Sequence, residues 1–246
     1  KWLFVKNIPP TRLHVNSFCK TSFIKNIFVT LSNKYLQKYF HFGIIALQFT
    51  REVELMIKIL PSIASADPLH LSDEIERVRA VGRLHLDIED GNFINNITFG
   101  EKTIRAISGI YSGELDAHLM TTEPLAWLPL LKDAGVRAVC AHIEALPYPK
   151  LFLRRAKSHG MRTGLAANLK VPLDEFEAYA DELDYVLVMT SEPDDGAQEF
   201  FPGAVKRVAA LRSMLPPGVE IWCDGGIKPE FLPKLSAAGM NAAVMG

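Results

Sequence analysis

From residue 56 onward, short apolar and β-branched runs alternate with longer stretches of helical period. The runs fall at 58–63, 83–88, 114–119, 137–142, 162–167, 184–189, 219–223 and 241–245, about 26 residues apart. That spacing suits one strand plus one helix. Between them, 70–81, 124–134, 149–159, 203–214 and 229–238 are the clearest helical patterns. Ser72 with Glu74 to Glu76 marks a helix N-terminus. Pro124, Pro202 and Pro229 stand where helices start, and Gly82, Gly135, Gly160 and Gly239 where they stop. Eight strands alternating with helices predict an α/β chain folded as a parallel (β/α)8 TIM barrel. An open doubly wound sheet is the alternative, but it expects a Gly-rich turn after the first strand. The sequence there, PSIASAD (61–67), has none. The chain ends at Gly246, where the eighth strand finishes. The barrel is therefore expected to be truncated after that strand, without its last helix.

The second strand breaks the usual rule of apolar inside, polar outside. In HLDIEDG (85–91), residues two apart share a face, so His85 and Asp87 point together and Leu84, Leu86 and Ile88 point the other way. Such a strand makes sense if helices cover its apolar face and its polar face ends in a reaction site. Reactive groups of barrels come from the C-terminal ends of strands. Ser62, His85, Asp87, His118, His142, Asn168, Met189 and Asp224 all fall there. A lone H-x-D is a weak signal. His85, Asp87, His118 and Asp224 converging in one barrel mouth is a stronger one, because buried unpaired ionisable groups are costly without a cation or a hydrogen-bond network. Two imidazoles and two carboxylates suit one divalent ion: Zn²⁺, Fe²⁺, Mn²⁺ or Co²⁺.

Composition changes this picture little. The chain of 246 residues is 48% hydrophobic and 22% charged, an ordinary globular balance, and its net charge of −1 gives no reason to expect nucleic acid as a partner. The charge is uneven: residues 1–55 hold eight Lys/Arg against two Glu, net +6, and the remainder carries −7. Residues 1–55 lack clear period, and Met56 opens a credible start, MIKILPSI. They are expected to be an extension outside the barrel, with a basic targeting arm as the alternative, and 56–246 the working domain. Cys19, Cys140 and Cys223 form no C-x-x-C pair, which argues against thiolate metal binding and a disulfide framework and fits a reducing cytoplasm. No apolar run reaches the ~18 residues of a membrane span. SIASA (62–66) mimics a cleavage site, but TREVE (50–54) breaks the apolar region a signal peptide needs before it.

Seven collinear stretches carry a resemblance: ILPSIASAD (59–67), LHLDIEDGNFINNITFG (84–100), DAHLM (116–120), HIEA (142–145), GLAAN (164–168), DYVLVMT (184–190) and DGGIKPE (224–230). From Met56 to its end the chain resembles the ribulose-phosphate 3-epimerase family, and HLDIEDG with FINNITFG and MTSEP is most similar to its branch of sugar-phosphate epimerases of unsettled substrate. The resemblance implies a metal held by His85, Asp87, His118 and Asp224, with Asp87 and Asp224 also the acid–base pair. It further implies substrate contacts from Ser62, from Met120 and Met189 capping the intermediate, and from the backbone at Gly196, Ala197, Gly225, Gly226 and Gly246. The implied reaction inverts C3 of a ketose phosphate such as ribulose 5-phosphate, and the resemblance leaves room for a homo-oligomer.

The sequence departs from the family at Glu89, where Met is usual, at Asn92 in place of His and at Asn95 in place of Pro. In the loop after strand six, Asp194 and Asp195 replace Gly and an aromatic residue. Two carboxylates there would repel a dianionic phosphate unless turned away. An unphosphorylated sugar and a catalytically silent sugar-binding protein are therefore kept as alternatives. A barrel decarboxylase is not favoured, since the D-x-K-x-x-D run of such relatives is missing.

Overall fold

A computed structural model describes residues 57–192 and 198–246. The expectations for residues 1–55 and for Asp194, Asp195, Gly196 and Ala197 lie outside them. The strands are β1 (Lys58–Pro61), β2 (Arg83–Glu89), β3 (Glu114–Met120), β4 (Ala138–His142), β5 (Arg162–Ala167), β6 (Tyr185–Met189), β7 (Glu220–Asp224) and β8 (Ala242–Met245). Each lies within two residues of its expected position. The order is β1-β8-β7-β6-β5-β4-β3-β2, and neighbours in this order are parallel. Between β1 and β2 the sheet is joined by a single parallel bridge, Ser62 to His85. The barrel is thus nearly closed, and its seam lies at the residues of greatest chemical interest.

The helices are α1 (Leu71–Val78), α2 (Glu101–Ile110), α3 (Pro124–Asp133), α4 (Pro149–Ser158), α5 (Ala204–Met214) and α6 (Leu232–Ala237). Pro124 opens α3 as expected, and Gly82 ends the first helical segment in the left-handed region at φ 76°, where a side chain would be strained. Three details differ from the sequence pattern. Ser72 lies inside α1, whose start has no side-chain cap; Asp67 instead caps the preceding 3-10 turn by accepting the Leu69 N–H at 2.9 Å. Pro202 precedes α5 by two residues, and Pro229 opens a 3-10 turn before α6. Helix α2 was not among the clear patterns, and the β5–β6 connection is a 3-10 run, Leu173–Glu182.

The alternation of β2 resolves as expected. Leu84, Leu86 and Ile88 are fully buried beneath the helices, in one cluster with Ile75, Ile104 and Ile107. Each such side chain contributes about 1.5–3 kcal/mol of burial. Inside the barrel a second cluster joins Leu60, Cys140, Tyr185, Leu187, Trp222 and Val244. Tyr185 and Trp222 stack at 3.9 Å between centroids. At the N-terminal end of the strands, Glu220 pairs with Lys58 at 2.7 Å and Arg162 at 3.3 Å, and accepts the Trp222 indole N–H at 2.7 Å. Among the described residues, no helix is long and apolar enough to cross a membrane.

Candidate active site

Register assembles the site. Pairing of β2 with β3 puts His85 beside Asp116, Asp87 beside His118, and Glu89 beside Met120. Asp224 ends β7, beside Met189 of β6. The donor atoms of His85, Asp87, His118 and Asp224 lie within 4.8 Å of one another, and all four residues are buried. They form a ring. His85 Nε2 is 3.2 Å from Asp87 Oδ1, which is 3.2 Å from His118 Nδ1, which is 3.2 Å from Asp224 Oδ2, which is 3.9 Å from His85 Nε2. A cation with ligand distances of about 2.0–2.2 Å sets neighbouring donors roughly 3 Å apart, as in three of these edges. The donor set and its spacing fit a divalent ion.

The surroundings orient these donors. His85 Nδ1 is hydrogen-bonded to Asp116, which leaves Nε2 for the ring. Ser62 Oγ donates to Asp87 Oδ2 at 2.5 Å, so the two Asp87 oxygens have different tasks. His118 Nε2 meets Nε2 of His142 at 2.9 Å. Burial works against a charged His85, but Asp87 and Asp116 outweigh it and hold the imidazole well above its usual range. Burial would also raise Asp87; His85 and His118 overcome this and hold its carboxyl well below the carboxylate range. His118 is raised by Asp224 and Asp87 against the same opposition. His142 is pushed down to about 4 by burial, helped by the neighbouring His118 and opposed by the Glu144 carboxylate 3.5 Å from its Nδ1.

A cavity of about 830 Å³ opens over the ring, lined among others by Ser62, Glu89, Met120, Met189, Gly225 and Gly246. Gly226 lines it too. Gly225 and Gly226 have φ of 111° and 61°, and a Cβ on either would lie 2.3 Å from Ser191 Oγ or 2.5 Å from the Gln198 carbonyl oxygen. Both positions require glycine, and their bare backbone faces the cavity. Glu89 faces the cavity, not bulk solvent. Burial and the nearby Asp87 charge raise it to about 7, against a hydrogen bond from Asn96 at 2.6 Å. The loop after β2 is tied down by Asp90, which accepts from the N–H groups of Asn92, Phe93 and Thr122, each at 2.8 Å. A cavity of about 960 Å³ at the opposite end of the barrel is lined by Arg79, Arg83, Arg137 and Arg162. Three of these arginines already pair with Glu76, Glu114 and Glu220.

The structure therefore brings together Ser62, His85, Asp87, Met120, His118, Met189, Asp224, Gly225, Gly226 and Gly246, while Gly196 and Ala197 fall outside the described residues. Sequence reasoning gave no role to Asp116, Glu144, Phe93 or Asn96. Asp116 was within reach of it: in D-A-H it shares an inward face with His118 and falls beside His85 once β2 and β3 are in register.

Residues 58–246 match the ribulose-phosphate 3 epimerase family. Similar proteins include the ribulose-phosphate 3-epimerases of Bacillus subtilis, 34% identical over 78% of this chain and 91% of that one, and of Rhodobacter capsulatus, 36% identical over 77% and 84%. That of Schizosaccharomyces pombe is 34% identical over 77% and 85%. Among solved structures, a mutant tryptophan synthase alpha-subunit from Pyrococcus furiosus aligns with a TM-score of 0.58 at 15% identity, over 77% of this chain and 86% of that one, a likeness of fold alone. With this family match, these relatives and a His/Asp ring in the mouth of a parallel barrel, the chain belongs to the ribulose-phosphate 3-epimerase family and is a carbohydrate epimerase, an isomerase.

Proposed function

We propose that the protein inverts C3 of a ketose phosphate, ribulose 5-phosphate or a closely related sugar, by proton transfer between two carboxylates. The observation that carries this reading is the donor ring, in which Asp87 and Asp224 flank the same nitrogen of His118 at 3.2 Å each. Asp87, as carboxylate, takes the proton from C3. The C–H electron pair passes into the C2–C3 bond and leaves negative charge on the ketone oxygen as an enediolate. Asp224, as the acid, returns a proton to the opposite face of C3. The reverse reaction exchanges the two roles. His85, Asp87, His118 and Asp224 would hold one divalent ion, whose contribution when bound is Lewis-acid stabilisation of the enediolate charge.

The remaining residues set the stage for this transfer. Ser62, hydrogen-bonded to Asp87 Oδ2, fixes the carboxylate's orientation and keeps one oxygen aimed at the ring. Met120 and Met189, 6% and 3% exposed, give the cavity apolar walls that exclude water from the charged intermediate. Backbone N–H groups at Gly225, Gly226 and Gly246 supply donors for substrate oxygens. Residues 56–246 act as the working barrel, and a chain beginning at Met56 keeps its solubility and turnover; loss of either would show that 1–55 belong to it.

The test is interconversion of ribulose 5-phosphate and xylulose 5-phosphate by the full chain, before and after chelation. Turnover that falls on chelation and returns with Zn²⁺, Mn²⁺, Fe²⁺ or Co²⁺ supports the reading; turnover unchanged in rigorously metal-free protein contradicts it. Asp194 and Asp195 make the free ketoses the necessary comparison. Faster turnover of ribulose than of its phosphate would transfer the proposal to an unphosphorylated substrate.

A further inference from the structure

His118 turns Nδ1 to the donor ring, and its other ring nitrogen faces a second histidine rather than a carboxylate or water. Nε2 of His118 and Nε2 of His142 are 2.9 Å apart. Both residues are buried, at 0% and 1% exposure, and their rings meet edge to edge, centroids 5.0 Å apart and planes 24° from parallel. Phe93 closes over the outer ring at 4.8 Å. Two nitrogens at that distance share one hydrogen, so one donates and the other accepts. Coordination through Nδ1 uses that lone pair and leaves the ring hydrogen of His118 on Nε2. His142 must then accept at Nε2, and its own hydrogen goes to Nδ1. Nδ1 has no hydrogen-bond partner among the described residues, and the Glu144 carboxylate stands 3.5 Å away. That is too long for a hydrogen bond but close enough for the charge to favour an N–H directed at it. Glu144 is itself held in place, its Oε1 accepting the Asn168 backbone N–H at 3.3 Å.

We propose that His142 and Glu144 are positioning residues that fix the tautomer and ring orientation of the metal ligand His118, through the chain Glu144, His142, His118. The inference rests on the metal site proposed above. It also makes the two metal-binding histidines unequal. His85 leans directly on an anion, Asp116. His118 leans on a neutral imidazole, with its anion one residue further out. The acceptor at position 142 is therefore what matters, rather than a charge there.

Two measurements on the full chain test this. The first is a long-range proton–nitrogen correlation spectrum of protein with ¹⁵N-labelled histidine, loaded with Zn²⁺. His142 is expected as the Nδ1–H tautomer and His118 as Nε2–H. An Nε2–H tautomer at His142 in zinc-loaded protein overturns the proposal. The second is zinc affinity by competition with a chelating dye. His142→Leu keeps the packing but offers no acceptor, and is expected to lose about 10–100-fold in affinity. His142→Gln can still accept from His118 and is expected to stay within about threefold of the parent. Equal affinities in a folded His142→Leu protein would overturn the proposal, as would equal losses in both variants. A parent protein that binds no zinc would defeat the metal site itself and this relay with it, a result distinct from zinc binding with the wrong tautomer.

Discussion

The barrel interior has two unlike halves. On one side β2 and β3, with the ends of β4 and β7, bury His85, Asp87, Asp116, His118, His142 and Asp224. On the other, β1, β5, β6 and β8 contribute Leu60, Ala166, Tyr185, Leu187, Ala242 and Val244, with Trp222 of β7 stacked among them. The apolar half gains from burial, the unpartnered Tyr185 hydroxyl excepted. The polar half pays to desolvate each ionisable group and is tolerable only because each is held by another or by a cation. Stability and chemistry are thus drawn largely from different residues of one barrel, β4 and β7 contributing to both, and substitutions should separate them.

The largest effect is expected from Asp87→Asn. Removing one member of the acid–base pair should lower turnover by about 10²–10⁴-fold. Next, Trp222→Ala empties the stacked position in the apolar half and should cost about 3–5 kcal/mol of stability. Its turnover per folded molecule should stay close to the parent's. A Trp222 variant that is stable but inactive, or an Asp87 variant that loses stability but keeps its turnover, would break the division. Metal comes third: ion at a hundredfold excess over Kd should stabilise the fold by about 2.7 kcal/mol, read as a rise in Tm that His118→Ala abolishes. The smallest effect concerns the rim of the polar half. Burial would raise Asp90, but the N–H groups of Phe93, Thr122 and Asn92 prevail and hold it at about 2, below its ordinary value of 3.8. Its contribution is complete above pH 4 and is lost as pH falls through 2. Asp90→Ala should therefore cost on the order of 1 kcal/mol at pH 7, given the exposure of the loop. The gap from the parent should close between pH 4 and pH 2.

The two halves also differed in how far the sequence revealed them. All eight strands were readable, because the apolar runs are short and Pro and Gly punctuate them. Helix α2 was harder to see: Ile104 and Ile107 are its buried residues, but neither a Pro nor a side-chain cap marks its start. Among the polar groups, His85, Asp87, His118 and Asp224 were legible from strand-end position and family motif together. Their supports were not. Whether Asp116 holds His85, or His142 holds His118, depends on the register between strands and on the turn of a ring, and neither is written in the local pattern. Glu89, two residues beyond Asp87, shares its face by alternation, but its environment, between Asn96 and the Asp87 charge, comes from the loop that folds back over β2.

The central claim is two-carboxylate proton transfer at C3 within the polar half. Epimerisation of ribulose 5-phosphate in D₂O, followed by proton NMR, addresses it most directly. The account predicts one deuterium at C3 of the product epimer formed by metal-loaded parent, and almost no deuterated product epimer from Asp87→Asn or Asp224→Asn. Product epimer formed without deuterium at C3, or deuterium entering at an unchanged rate in both Asp variants, would contradict it.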